Sequence, residues 1–317
     1  MFCFINNLSA QNGFLHNSEN QYDYIIITIP DYVQSCNQFA THKETNLGLR
    51  TLVVDTTMIF NEFNSFPEPQ ENIREFTSYA GTFWTDPKPK FILIVGRIND
   101  IPNFKIPYFT HPNYYFNSDF YYTQNKFESD SISMDFFVGR LPCRNNLELI
   151  SYFNKVINYE TLAEHNDWEN NCLLISDTVP TFDFLNSTLD LRNVFPSYIS
   201  SKILTIDTTS GYYGNKDSVI NFVNVNGVSS IWFEGLGTQD FFISEEFLNL
   251  SDLNLFENLD KYFLTVFIHA QFNIFDTNTN LAREFLFKEN SGSIASIHHL
   301  HYSFWQATRY FQTIWAQ

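Results

Sequence analysis

The sequence predicts an α/β fold made of two consecutive three-layer α/β/α units whose sheets are mainly parallel. The first observation is a set of short, continuous apolar runs, such as 24–29 and 90–95, that are typical of strands buried on both faces of a parallel sheet. The second is their alternation with helix-length segments. The third is that this rhythm occurs twice, so we expect domains over 21–165 and 166–317, after an N-terminal segment, 1–20, without a clear pattern.

The first unit contains four expected strands separated by helical segments. Pro30 ends the first strand, and Gly96 follows the third. A stretch rich in Pro, Asn, Tyr and Ser, 102–134, is expected to be a long excursion with some edge structure. The expected strands are 24–29, 49–54, 90–95 and 134–139, and the expected helices are 31–45, 59–63, 71–83 and 146–163.

The second unit repeats this pattern with five expected strands. The helix that precedes its third strand ends near Gly227, since glycine favours the end of a helix. The expected strands are 171–176, 203–208, 228–233, 262–268 and 292–297, and the expected helices are 217–225 and 281–287.

Composition excludes several classes of protein. Hydrophobic residues make up 44% and charged residues 17% of the chain, which is typical of a folded globular protein. The formal charge of −17 argues against a nucleic-acid partner, because phosphate binding needs a basic surface. No apolar run reaches the length of a membrane-spanning helix, so we expect no integral membrane segment.

The four cysteines and the two termini add further expectations. Cys3, Cys36, Cys143 and Cys172 are widely spaced, which argues against a thiolate zinc site and against a disulfide framework. We expect no cofactor. The N-terminus lacks the basic flank and the long apolar stretch of a full signal peptide, and the chain stops abruptly at Trp315-Ala-Gln317, so we expect a fragment of a longer protein.

Parallel sheets collect their catalytic and ligand-binding groups at the carboxyl ends of the strands. This rule selects Asp177, the loop 234–240 and the loop 269–276. The loop that contains Gly235, Leu236 and Gly237 has the strongest site character, because two glycines let the backbone turn sharply around one residue. A tight connection without any ligand is the simpler interpretation of this loop on local grounds.

Several blocks of the sequence resemble the gingipain family of cysteine peptidases, and within it the peptidase domain of the type IX secretion sortase. The block 135–142, which reads Asp-Phe-Phe-Val-Gly-Arg-Leu-Pro, is the most specific one. The resemblance extends over nearly the whole chain and implies a caspase/gingipain-like α/β fold. The other blocks are 23–28, 72–76, 89–96, 118–122, 155–160, 168–171 and 292–295.

The resemblance also identifies where a catalytic dyad would lie. The family places a histidine between two glycines, and this position is Leu236; its nucleophilic cysteine aligns with Ala270, ahead of Phe275 and Asp276. Neither side chain can act as a nucleophile or a base. The expected vestigial cleft consists of Glu234, Gly235, Gly237, His269, Gln271 and Asp177. Two further positions differ from the family. Arg97 stands where family members often carry Asp, and His301 lies near a position where Arg is usual.

Two alternatives stay open at the same edge of the sheet. His269 is adjacent to Ala270 and points to the opposite face of a strand, so we do not expect it to replace the nucleophile. His298, His299 and His301 form the only histidine cluster, for which a metal site is possible and a His-rich strand end is favoured.

These observations lead to a main hypothesis and an alternative. The main one is a degenerate gingipain-like domain that binds a peptide or protein partner or serves as a scaffold, in the setting of type IX secretion in a Bacteroidetes-like cell envelope. The alternative is an active endopeptidase or transpeptidase with an unrecognised nucleophile. The family resemblance implies the cell surface or the periplasm, whereas the chain itself does not define its compartment.

Overall fold

The computed structural model of the chain describes residues 13–108, 111–127, 134–161, 167–179, 181–237, 241–242, 247–268 and 280–298. The chain divides into two compact units, Met1–Leu149 and Ile150–Gln317. The domain boundary expected between residues 165 and 166 stays a prediction, because a compact packing unit and an independently folding domain are different properties.

The first unit is built on a parallel sheet of four strands in the order β2-β1-β3-β6. A two-stranded antiparallel hairpin, β4–β5, lies in the excursion that precedes β6. The elements are β1 Tyr24–Thr28, α1 Val33–Leu47, β2 Thr51–Asp55, α2 Thr56–Glu62, α3 Pro69–Phe83, β3 Phe91–Val95, β4 Phe104–Tyr108, β5 His111–Ser118 and β6 Phe137–Leu141. Helix α4, Asn146–Thr161, begins at the end of this unit and lies mostly in the second one.

Helices cover both faces of this sheet. Ile25 and Ile27 of β1 point into a core that they share with Ile73 and Phe76 of α3, all four being fully buried. Helix α1 packs on β1 and β2. The continuous apolar strands of the sequence are explained by this arrangement, since each of their faces meets a helix.

A buried ion pair fixes the excursion to the sheet. The Arg140 guanidinium of β6 donates to both carboxylate oxygens of Asp119, at 2.7 and 2.8 Å, and also donates to the carbonyl oxygens of Gly96 and Ile101. The Arg140 side chain is only 3% exposed. Both residues of the pair lie in blocks that resemble the gingipain family, and the structure gives them a role in stabilising the fold.

The second unit is built on a parallel sheet of five strands in the order β13-β12-β9-β7-β8. Two short strands, β10 and β11, pair antiparallel outside it. The elements are β7 Asn171–Ser176, α5 Phe184–Val194, β8 Ser200–Thr205, α6 Lys216–Asn226, β9 Ser230–Glu234, β10 Phe241–Phe242, β11 Leu248–Asn249, β12 Phe263–Ile268, α7 Leu281–Phe287 and β13 Ser293–His298.

This sheet also has helices on both faces. Val219 of α6 and Phe285 of α7 pack with Phe233 of β9 on one face. Leu191 of α5 and Trp232 of β9 pack on the other face. The three-layer α/β/α prediction is therefore confirmed for the sheet of the second unit.

Within the described ranges, no helix is both long and apolar enough to span a lipid bilayer.

Candidate functional site

The candidate site lies at the carboxyl edge of the second sheet. Ser176 at the end of β7, Glu234 at the end of β9 and Ile268 at the end of β12 are register partners. The next residues along β7 and β9 are Asp177 and Gly235, so the sheet brings them to the same edge. This is the edge at which parallel sheets place catalytic and binding groups.

Asp177 holds the loop that follows β9. Its carboxylate accepts a hydrogen bond from the backbone N–H of Leu236 at 3.0 Å and another from the N–H of Thr178, and its own N–H donates to the carbonyl of Glu234. Asp177 is 1% exposed. Its role is therefore to fix the backbone of the loop, and the capping of the next helix belongs to Asp183.

The position of Gly235 is set by the same contact. A methyl group at this position would overlap Cβ of Asp177 and would lie 2.9 Å from the Phe233 ring. The glycine before Leu236 is thus required by close packing, a reason that differs from the sharp turn expected from the sequence.

We expect Gly235→Ala to lower the free energy of unfolding by about 1–3 kcal/mol, because the added methyl group overpacks a buried contact. Urea denaturation followed by circular dichroism measures this change. Gly211→Ala is the matched control, since a methyl group there meets no atom within 4 Å. Equal stabilities of the two variants would contradict the packing role of Gly235.

Leu236 projects from this loop with 37% of its surface exposed. Leu236, which the resemblance aligns with the family's histidine, is therefore partly open to solvent and does not fill the core. Its neighbour Glu234 is 3% exposed and accepts a hydrogen bond from the Thr188 hydroxyl of α5 at 3.4 Å. Glu234, which the sequence assigned to the cleft, thus contacts the helix layer, while Gly237 is half-buried.

The remaining expected site residues are only partly covered by the structure. Ala270, His269, Gln271, His299 and His301 lie outside the described residues. His298 ends β13 beside Phe267, and its Nδ1 lies 3.2 Å from the Ser296 hydroxyl. Among the described residues no three His, Cys, Asp or Glu side chains come together as metal ligands, and the metal interpretation of the histidine cluster stays untested.

A cavity of about 570 Å³ opens beside Asp177. Its walls come from the loop after β7, the start of α5 and Asp207 after β8. Three of its lining residues are carboxylates: Asp177, Asp183 and Asp207. Sequence reasoning selected only the first of them, because the contribution of α5 and of the loop after β8 depends on contacts that are distant along the chain.

The other two carboxylates also bond to their own chain. Asp183 caps α5 by accepting from the N–H of Asn186. Hydrogen bonds from the hydroxyl and the N–H of Thr209 lower the pKa of Asp207 below its ordinary value. These bonds keep both side chains oriented while leaving acceptor capacity on the carboxylate oxygens.

The described cysteines are unsuited to nucleophilic chemistry. Cys36, Cys143 and Cys172 are all buried. Burial raises the pKa of each of these thiols to about 12, so the reactive thiolate is scarce at neutral pH.

Known structures share this architecture. The crystal structure of the Arg-specific cysteine proteinase gingipain R (RgpB) superimposes with a TM-score of 0.74 at 18% identity, covering 92% of this chain and 65% of that one. The complex of Porphyromonas gingivalis RgpB pro- and mature domains superimposes with a TM-score of 0.74 at 18% identity, covering 92% of this chain and 66% of that one. A further structure, described only as a protease, superimposes with a TM-score of 0.70 at 17% identity, covering 94% of this chain and 63% of that one. The chain therefore spans slightly less than two thirds of each of these proteins.

The two parallel, helix-covered sheets and these superpositions define a gingipain-like fold of the caspase-like α/β class. The model of Peptidase family C25 matches residues 17–317, and the chain belongs to this family, the gingipain family. Among curated proteins, no significant match to the sequence was found.

Proposed function

We propose that this chain is a degenerate family C25 domain that binds a peptide or a protein partner without cleaving it. The observation that carries the proposal is Leu236, an aliphatic, partly exposed side chain on a loop that Asp177 holds in place. A loop built in this way retains the backbone framework of a peptidase site. The side chain that the framework presents has neither a lone pair nor an acidic proton.

The proposed second loss is at the aligned nucleophile position, Ala270. Because a nucleophile and its base act as a unit, the loss of both removes the covalent step and leaves binding. The fold persists through such a loss, since fold and function are separable.

The acidic cavity supports a preference for basic peptides. Asp183 and Asp207 line it with carboxylates that solvent reaches, whereas Asp177 is buried and holds the Leu236 loop; the whole chain carries a formal charge of −17. An Arg or Lys side chain would complement this charge. The structural relative RgpB is described as Arg-specific and has been captured with its pro-domain, which is consistent with a basic and proteinaceous ligand for this chain as well.

The cellular setting belongs to the same proposal. From the sequence resemblance, we place the domain at the cell surface or in the periplasm, as a scaffold or binding module that works with type IX secretion in a Bacteroidetes-like envelope.

Fluorescence anisotropy with labelled peptide pools tests the proposal. We expect arginine-containing peptides to bind more tightly than glutamate-substituted ones, with an affinity that falls as salt is added, and the bound peptide to remain intact. Asp207→Asn weakens binding, whereas Asp167→Asn, an exposed site beside the amino end of β7, leaves it unchanged. Cleavage of the peptides, or the absence of binding by both pools, would contradict the proposal.

A second candidate function rests on the contact between Ser296 and His298. The hydroxyl and the imidazole lie on the same strand with Oγ 3.2 Å from Nδ1, and both residues are partly buried. A histidine at this distance can accept the serine proton and activate the hydroxyl for attack on a carbonyl carbon. This arrangement favours an active hydrolase with a nucleophile that the family does not use.

A fluorophosphonate probe separates the two candidates. An active serine would be labelled, and the label would be lost in Ser296→Ala and retained in Ser200→Ala, which changes an exposed serine at the start of β8. If the unmodified chain takes up no label, the second candidate is excluded and the binding proposal is unaffected.

A further inference from the structure

A second cavity, of about 610 Å³, opens in the first unit at the amino ends of β1, β3 and β6. The first residues of these strands, Tyr24, Phe91 and Phe137, are register partners and therefore lie on the same face of the sheet. Their rings form a row, with centres 6.3 Å apart between Tyr24 and Phe91 and 5.6 Å apart between Phe91 and Phe137. This row leaves apolar surface open to solvent, since Phe91 is 41% and Phe137 71% exposed.

Helix α1 covers this face of the sheet only in part. The side chains of Thr28 in β1 and Cys36 in α1 share a hydrogen bond, and Thr28 points to the same face as Tyr24, four residues earlier. The helix packs mainly on β1 and β2, whereas the starts of β3 and β6 stay exposed. Because parallel sheets are normally covered on both faces, an open apolar area of this kind indicates a place for a ligand.

Gly139 of β6 forms part of the cavity wall beside this row. The residue is exposed, and a methyl group at this position would meet only Leu93, at 4.0 Å. The packing of the chain therefore does not require a glycine here. The missing side chain deepens the groove and leaves room for another molecule to approach the backbone of β6.

The cavity has one charged end. Lys43 lines it from the last turn of α1 and is the one charged residue among the described residues of the wall. Lys43 is 8% exposed, and its Nζ lies 4.7 Å from the centre of the Phe39 ring, so its charge acts in a partly desolvated setting. The opposite end, beside β6, is formed by apolar residues such as Met134 and Phe136. Two strand spacings, about 10 Å, separate β1 from β6.

We propose that this groove binds a fatty acid of medium chain length, with its carboxylate beside Lys43 and its alkyl chain across Phe91, Gly139 and Phe137. The carboxylate complements the positive charge of the wall, and the chain covers the exposed aromatic surface. An amine of the same length would be repelled by Lys43, and an alcohol would lack the charge-assisted contact. All lining residues belong to the first unit, so this inference is independent of the function proposed for the second sheet.

Isothermal titration calorimetry of the unmodified chain with octanoate, octanol and octylamine tests the proposal. These three ligands share one alkyl chain and differ in their head group. We expect octanoate to bind about tenfold more tightly than octanol, because its carboxylate gains a charge-assisted contact, and octylamine to bind most weakly. The absence of octanoate binding, or equal affinities for octanoate and octylamine, would overturn the proposal.

Filling the groove locates the bound chain. Gly139→Leu places a side chain in space that the fold leaves open, and we expect octanoate affinity to fall by about tenfold or more because the chain is displaced. Gly211→Leu is the matched control, since Gly211 is an exposed glycine of the second unit with no atom within 4 Å of an added methyl group. Unchanged affinity in Gly139→Leu would contradict the proposed site.

Removing the charge locates the carboxylate. Lys43→Met keeps an apolar stem, and we expect its affinity for octanoate to fall to that for octanol. Lys202→Met, which changes an exposed lysine of β8, should keep the preference for octanoate. A preference that persists in Lys43→Met would overturn the proposed role of Lys43. If either variant fails to fold, the comparison of the three ligands on the unmodified chain still decides the proposal.

Discussion

Replacement of Arg140 by methionine is expected to lower the free energy of unfolding of the first unit by about 3–5 kcal/mol. The substitution keeps an unbranched apolar stem but removes every donor from the guanidinium. It leaves the Asp119 carboxylate and the carbonyls of Gly96 and Ile101 without their partner in a largely buried site. Urea denaturation, combined with hydrogen exchange of amides in the first unit, measures the loss.

Arg97→Met provides the matched control for this prediction. Arg97 also contacts an aspartate, Asp100, through Nε at 3.1 Å, but its side chain is 34% exposed. Solvent-exposed pairs of this kind contribute about 0–1 kcal/mol. If Arg140→Met and Arg97→Met had similar effects, the pair between Arg140 and Asp119 would not have the stabilising role assigned to it.

The double substitution of Leu236→His and Ala270→Cys is expected to create cysteine reactivity. The histidine would occupy the partly exposed position on the loop held by Asp177, and the cysteine would occupy the aligned nucleophile position. Incubation with a thiol-directed peptidyl probe in a Cys3→Ser background, followed by mass spectrometry, should show one label per chain. We expect labelling on the order of a hundredfold faster than in Ala270→Cys alone, because a positioned base activates the thiol.

The two single variants are the controls for this experiment. In the same Cys3→Ser background, Leu236→His alone keeps only the three buried cysteines and should remain unlabelled, and Ala270→Cys alone should react at the rate of an unassisted thiol. Equal rates for Ala270→Cys and the double variant would mean that the two positions do not form a dyad, and the alignment would have to be shifted.

Most strands and their order of occurrence were predictable because they contain continuous apolar runs. The strand expected over 134–139 lies instead at Phe137–Leu141, and the one expected over 203–208 lies at Ser200–Thr205, because both include polar residues that the apolar pattern does not mark. Runs such as 24–29 and 171–176 are apolar along most of their length, and their shortness and β-branched residues favour a buried strand over a buried helix. The carboxyl ends of the same runs indicate Asp177, Gly235 and Leu236 from the sequence alone. The local sequence pattern is sufficient to predict a strand where both faces of that strand are packed against helices.

Helix α5 and the cavity were not predictable in the same way. The buried face of α5 carries Ser187 and Thr188 alongside Phe184 and Leu191, so the apolar periodicity of a helix is interrupted. Thr188 bonds to Glu234, which is 46 residues away in the sequence. The buried Ser187 hydroxyl has no hydrogen-bond partner among the described residues. The role of Asp177 as the support of the Leu236 loop likewise depends on a contact across 59 residues.

The reaction of the unmodified chain with the thiol-directed peptidyl probe tests the central claim most directly. The account predicts no peptide-dependent label, because Cys36, Cys143 and Cys172 are buried with raised pKa values. Cys3→Ser removes any label at the remaining cysteine. A stoichiometric label that persists in Cys3→Ser and is blocked by a competing peptide would contradict the claim that this family C25 domain has lost its thiol chemistry.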